Sequence, residues 1–212
     1  MRSRGRNVHA GVIFSTEKPL ILASGSPRRQ GYFRDLGLVF TARETDVVEQ
    51  ELPGETPEGF VRRMAAAKAA VVMHAHPASW VVAADTVVSL GGGILGKPKD
   101  ESDTLLMLMR LSGREHCVHT GFCVGCLEEN TRVVDSAVTR VTFADITEDI
   151  ARAYVATGEP LDKAGGYGIQ GQGAFLVKSL SGSYSNVVGL PLHEVIHYLQ
   201  RYGVIGTGPC RL

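Results

Sequence analysis

Ser24-Gly25-Ser26-Pro27-Arg28-Arg29 sets two adjacent guanidinium groups directly behind a Ser-Pro pair of the kind that starts helices. Cations in a first helical turn oppose the helix dipole, which favours anions there by about 0.3–1 kcal/mol. The placement makes sense if an anion sits in front of the helix. Free N–H groups, Arg28, Arg29 and the hydroxyls of Ser24 and Ser26 would then converge on phosphate oxygens. The alternative is two solvated arginines on a surface helix. Further on, Val81-Val82-Ala83-Ala84-Asp85-Thr86-Val87-Val88 is an apolar run with one acid at its centre. An unpaired buried carboxylate is costly or neutralises itself. A residue kept there binds a cation, pairs with one or moves protons; a salt-bridged or edge-exposed aspartate is the plainer alternative. Asp85 is the best catalytic candidate in the chain. Lys97, in Leu95-Gly96-Lys97-Pro98, follows a returning strand. A hairpin turning at Gly91 to Gly93 would bring it back towards Asp85, a pairing suited to a metal-bound polyphosphate, unless Lys97 is merely exposed before a proline turn.

Two look-alikes fail on chemistry. Gly91-Gly92-Gly93-Ile94-Leu95-Gly96-Lys97 has P-loop spacing, but Pro98 stands where a Ser or Thr must hold magnesium. His116, Cys117, His119, Cys123 and Cys126 invite a zinc reading. Their segment alternates like a strand, however, and residues three apart on a strand point to opposite faces. Core thiols are the expectation. Gly168, Gly171 and Gly173 form a G-x-x-G-x-G too loose to mean dinucleotide binding.

These residues need elements to hold them. Residues 19–23 read as a buried strand, followed by a helix capped at Ser26 and ending at Gly37. A second helix spans Thr56 or Pro57 to about His74, and a strand runs from Trp80 to Leu90 before the glycine turn. Ser102 to Leu111 reads as a helix, and Glu115 to Leu127 and Arg132 to Phe143 as two long strands turning at Glu129-Asn130. Helices capped at Thr147 and running from Pro191 to Tyr202 complete the set. The long central hairpin favours a mixed sheet over a parallel one.

The 212 residues suit one large domain or two small lobes. Lys plus Arg and Asp plus Glu number 22 each, which argues against a general nucleic-acid or membrane-surface binder. Any anion site must be local. No apolar run approaches the roughly 18–20 residues of a membrane span. Arg2, Arg4 and Arg6 precede the first acid, Glu17, a bias that either resembles a transit peptide or marks a disordered tail. Residues 1–18 are assigned as a flexible tail, 19–205 as a single domain and 206–212 as a C-terminal tail. Four cysteines in this length are no disulfide framework and point to a reducing, cytoplasmic setting.

Leu22 to Arg29, Ala84-Asp85-Thr86-Val87 and Gly96-Lys97-Pro98 resemble, in order and spacing, the Maf family of nucleotide pyrophosphatases. Glu159 to Gly171 is similar to a fourth block of that family and Val188-Gly189-Leu190-Pro191 to a fifth. The resemblance implies an inosine-triphosphatase-like α/β fold: a strongly twisted mixed sheet flanked by helices, a cleft between two lobes, and commonly a homodimer. It also implies attack by water at the α-phosphorus of a nucleoside triphosphate, dependent on Mg²⁺ or Mn²⁺. Asp85 falls on the proton acceptor, Glu49 on a second acidic position that helps hold metal, and Lys68 and Lys97 on basic positions facing the phosphates. Arg28, Thr86 and Gln170 are the combination of the branch acting on dTTP and UTP. The competing implications are a pyrophosphatase for non-standard or methylated purine triphosphates, and a regulator of cell division that binds nucleotide without turnover.

Overall fold

The computed structural model describes residues 12–208; the Arg-rich start at Arg2, Arg4 and Arg6 lies outside them. Its spine is the strand predicted from Trp80 to Leu90, which is buried along nearly its whole length. Such a run requires cover on both faces, and the surrounding elements supply it. In chain order these are β1 (Phe14–Thr16), β2 (Leu20–Leu22), α1 (Pro27–Asp35), β3 (Thr41–Ala42), α2 (Pro57–Ala75), β4 (Trp80–Leu90) and β5 (Gly93–Leu95). They continue with α3 (Glu101–Leu111), β6 (Glu115–Cys126), β7 (Thr131–Phe143), α4 (Glu148–Val155), 3-10 turns from 159 to 176, β8 (Val177–Ser181), α5 (Tyr184–Val188), α6 (Leu192–Arg201) and β9 (Ile205–Thr207).

The main sheet runs β3-β2-β4-β6-β7-β8, with β5 also on β4. β2 is parallel to both β3 and β4, and the remaining pairs are antiparallel, so the sheet is mixed as the long hairpin required. Odd-numbered residues of β4 meet α2, where Val81 and Ala83 pack with Ala65, Ala69 and Met73. Even-numbered ones meet α1 and α6, where Trp80, Val82 and Ala84 pack with Phe33, Val195 and Leu199. The far halves of β4, β6 and β7 carry a second apolar body, in which Val88, Val118 and Phe143 pack with Leu108, Leu111, Tyr154 and Leu176.

Helix α2 begins with Pro57 behind Thr56, whose Oγ1 accepts from the Gly59 amide at 3.1 Å. It lies close on the sheet because β6 offers it no side chain at Gly121, where a Cβ would fall inside the Val61 carbonyl. The glycine hairpin turns on Gly91 and Gly92 at φ 60° and 85°, a two-residue turn that returns β5 to β4. Cys123 packs towards α2 and Cys126 towards the opposite face, as alternation along a strand demands.

Three expectations need correcting. Ser26 sits at the N-cap of α1 but its side chain makes no cap bond; the Ser26 amide instead donates to Ser24 Oγ at 3.1 Å. Helix α3 starts earlier than Ser102, because Asp100 caps it through the Asp103 amide at 2.8 Å. The domain also extends past 19–205: Phe14–Thr16 and Ile205–Thr207 pair antiparallel in a two-stranded ribbon, drawing parts of both supposed tails into the fold.

Candidate active site

Asp85 occupies the middle of β4 on the face towards α2 and is 5% exposed. Across the ladder it stands opposite Gly121, so nothing from β6 crowds it. Lys68, two turns along α2 from the Val61 contact, reaches back with Nζ 2.6 Å from Asp85 Oδ1 and 2.6 Å from Glu49 Oε1. Glu49 comes from the irregular segment between β3 and α2. One ammonium therefore joins two carboxylates whose environments differ. Burial pushes the Asp85 carboxyl above the ordinary aspartate range, and Glu49 adds to the rise, while Lys68 offsets only part of it. Burial also raises Glu49, but Lys68, Lys97 and Arg29 outweigh it and hold that carboxyl below its usual value.

The opposite face of β4 organises the arginines. Arg29 donates from Nε to the Gly189 carbonyl at 2.6 Å, from Nη2 to Thr86 Oγ1 at 3.0 Å and from Nη1 to Ser24 Oγ at 3.3 Å. Thr86 is itself braced by the Thr120 hydroxyl at 2.9 Å, and Thr120 donates to the Asn186 carbonyl at 3.1 Å. Asn186 is fully buried and donates to the Val118 carbonyl and Thr139 Oγ1 at 3.0 and 2.9 Å. A chain of hydrogen bonds thus runs from the guanidinium into the core, fixing its plane. Arg28, one residue earlier, points across the opening to Asp162 at 3.3 Å.

All the residues singled out in the sequence line one cavity of about 740 Å³: Ser24, Ser26, Arg28, Arg29, Glu49, Lys68, Asp85, Thr86, Lys97 and Gln170. One placement differs from expectation. The ammonium that reaches Asp85 is that of Lys68, while Lys97 stays exposed at the end of the hairpin and acts on Glu49 through space. The Thr86 hydroxyl is engaged with Arg29 and Thr120, on the sheet face away from Lys68. Sequence reasoning assigned no role to Glu44, Glu51, Lys99, Asp162 or Lys163, which line the same cavity. Asp162 and Lys163 could have been found, since they stand beside each other in the Glu159 to Gly171 block. Glu44 announces itself only in space, where a Cβ on Gly25 would lie 2.7 Å from its carboxylate.

No helix among the described residues is long and apolar enough to cross a membrane. The chain is also similar to known proteins. The dTTP/UTP pyrophosphatase of Desulfotalea psychrophila is 52% identical over 193 residues, covering 91% of this chain and 99% of its own. That of Nitratidesulfovibrio vulgaris is 52% identical with 91% of each chain covered, and that of Myxococcus xanthus 49% identical, with 87% of this chain and 93% of its own. Among solved structures, the Staphylococcus aureus Ham1 protein matches 60% of this chain and 73% of its own, with a TM-score of 0.46 and 17% identity. The model of the Maf-like protein family matches residues 19–202, a span that holds every cavity residue named above. With that span and these relatives, the chain belongs to the Maf-like protein family.

Proposed function

We propose that the chain hydrolyses dTTP and UTP to the nucleoside monophosphate and pyrophosphate. The observation that carries this reading is the buried Asp85 carboxylate, set in a cavity whose rim presents Arg28, Arg29 and Lys97. Asp85 is the proton acceptor. Burial makes it a stronger base than an exposed aspartate, and its side chain lines the cavity that would receive the substrate. The proton of the attacking water passes to the Asp85 carboxylate as its oxygen bonds the α-phosphorus. The bond to the bridging oxygen breaks, and pyrophosphate leaves with the electron pair. Arg28, Arg29 and Lys97 counter the charge that builds on the phosphates, from positions fixed in advance for Arg29.

A divalent cation fits the donors present. Asp85 and Glu49 converge on the single position now held by the Lys68 ammonium, and an all-oxygen pair suits Mg²⁺ or Mn²⁺, which bind through one or two carboxylates plus substrate phosphates. Among the described residues no larger cluster of His, Cys, Asp or Glu competes for this role. When bound, the ion supplies Lewis-acid polarisation of phosphate oxygens. Gln170 offers the base both a donor and an acceptor, matching the alternating edge of uracil or thymine. Thr86 acts on selectivity through Arg29, whose guanidinium it holds. The same reading carries a homodimer acting on free nucleotides in the cytoplasm.

A panel of nucleoside triphosphates with Mg²⁺ or Mn²⁺, reading pyrophosphate against orthophosphate, tests the proposal. Pyrophosphate from dTTP and UTP well ahead of ATP, GTP and methylated GTP is expected. Faster turnover of a purine triphosphate would transfer the site to that substrate class. Nucleotide-induced protection against melting with no pyrophosphate released would reduce it to a binding module.

A further inference from the structure

The glycines at 168, 171 and 173 are wrapped around a carboxylate of the chain itself. Glu159 opens the 3-10 turn Glu159–Asp162 and lies outside the residues that line the cavity. Its Oε2 accepts from the Gln172 amide at 2.8 Å, and its Oε1 accepts from the Gly173 amide at 3.0 Å and from the Tyr154 hydroxyl at 2.8 Å. Tyr154, buried on α4, accepts in turn from the Gly168 amide at 3.1 Å. The segment from 168 to 173 is therefore pinned at both ends, and Gln170 between them lines the cavity.

The glycines answer to this clamp. Gly171 adopts φ +75°, and a Cβ there would lie 2.7 Å from Glu159 Oε2. On Gly173 a Cβ would overlap the Tyr154 hydroxyl and the Gly168 carbonyl. A carboxylate gripping backbone amides makes hydrogen bonds about twice as strong as neutral ones. The clamp thus holds a loop of otherwise unconstrained glycines in one shape.

We infer that Glu159, acting with Tyr154 through the 168–173 loop, is a positioning residue that aims the Gln170 amide at the base and so sets the pyrimidine preference. This rests on the dTTP/UTP reading of the cavity. A side-chain amide that is aimed before binding needs no ordering when the base arrives. Loosening it weakens base recognition, while the phosphate end at Asp85 and Lys68 lies on other elements. Replacing Glu159 by Gln turns one acceptor oxygen into an NH₂ that faces a backbone N–H, releasing one end of the loop.

The test compares Glu159→Gln and Tyr154→Phe in the full chain, each with and without Gln170→Ala, by steady-state kinetics on dTTP, UTP, CTP and GTP. Amide hydrogen exchange over residues 168–173 is measured alongside. In Glu159→Gln, faster exchange at Gln172 and Gly173 is expected, with a KM for dTTP raised about 5–20-fold, the worth of one lost anchoring bond. The change in kcat stays smaller, and the preference for dTTP over GTP narrows. With Gln170→Ala already present, neither variant narrows the preference further, because the side chain being aimed has gone. Unchanged exchange, an equal loss of kcat on every nucleotide, or a narrowing that persists in the Gln170→Ala background overturns the inference. A parent enzyme that prefers some other nucleotide removes the substrate reading alone, and the same cycle then decides the inference on that nucleotide. Should Glu159→Gln not fold, Tyr154→Phe, which deletes a single hydroxyl, supplies the comparison.

Discussion

At the scale of single residues, the site depends on one lysine shared by two unlike acids. Asp85 is buried and pushed towards the neutral form, whereas Glu49, half in water and among cations, stays ionised more readily. Environments that drive paired carboxylates apart are how one site divides base and ligand roles. Asp85→Asn keeps the shape but cannot take a proton. Turnover of dTTP should drop by about 10²–10⁴-fold, while nucleotide still raises the melting temperature. Activity within a few-fold of the parent would remove Asp85 as the base. Much of this was legible early: an acid inside an apolar strand is conspicuous in any sequence. Its partner was not. Nothing local in Ala66-Ala67-Lys68-Ala69 announces an active-site lysine, and the resemblance alone singled it out. The reach from α2 to β4 that pairs it with Asp85 exists only once the helix has docked. Spacing favoured Lys97, because hairpin register is readable and helix docking is not.

At the scale of elements, the docking distance of α2 is set by a missing side chain. Gly121→Ala must push Val61 and Arg62 away from β6, and overpacking of this kind costs about 1–3 kcal/mol. Because Lys68 rides on the same helix, kcat should fall along with the melting temperature. Gly31 provides the contrast: it lies in α1 at ordinary φ, and a Cβ there meets nothing within 4 Å. Gly31→Ala should leave activity alone and stabilise by about 0.5–1 kcal/mol through helix propensity. Thermal melts and dTTP turnover on both variants decide the matter, and a Gly121→Ala enzyme as stable and active as the parent would refute the close-docking account. Elements were legible in proportion to their length. β4, β6 and β7 run for 11 to 13 residues, long enough for a strand pattern to show even where β6 and β7 carry polar residues. β3, at two exposed residues, and β8, mostly exposed on an outer strand, carry too little pattern to read. α5, five residues long, is defined by its tertiary bonds through Asn186.

At the scale of the whole molecule, stability should depend on pH through a residue outside the cavity lining. His116 is 2% exposed in the second apolar body, with Nε2 2.7 Å from the Tyr167 hydroxyl and no partner at Nδ1. Burial lowers its pKa to about 4, so it is neutral in the fold and charges in the unfolded chain from about pH 6.5 downward. Its contribution is complete above about pH 6.5 and is lost as pH falls towards 4, by about 3 kcal/mol in all. Urea unfolding at pH 7 and pH 4.5 should show a smaller drop for His116→Phe than for the parent, and identical drops would exclude His116 as a source. The fold class and the mixed sheet were readable at this scale. The ribbon of β1 and β9 was not, because it joins two short segments nearly 200 residues apart that have no signal until both are placed.

The ion pairs across the cavity bear on how the enzyme meets its ligand in different buffers. Asp162 is shared by Arg28 and Lys163, and Lys68 is paired with Asp85 and Glu49, so these cations of the resting cavity are met from within, and the charges of the chain at large also balance. An incoming triphosphate exchanges partners with these groups and does not fall into a bare field of positive charge. Long-range steering should then be weak, and ionic strength should matter little. Raising salt from about 0.05 to 0.3 M should lower kcat/KM for dTTP by less than about threefold, where steered association falls steeply over such a range. Asp162→Asn, by freeing Arg28 and Lys163, should convert the same enzyme into a salt-sensitive one with faster capture at low salt, an outcome that stopped-flow binding would register directly.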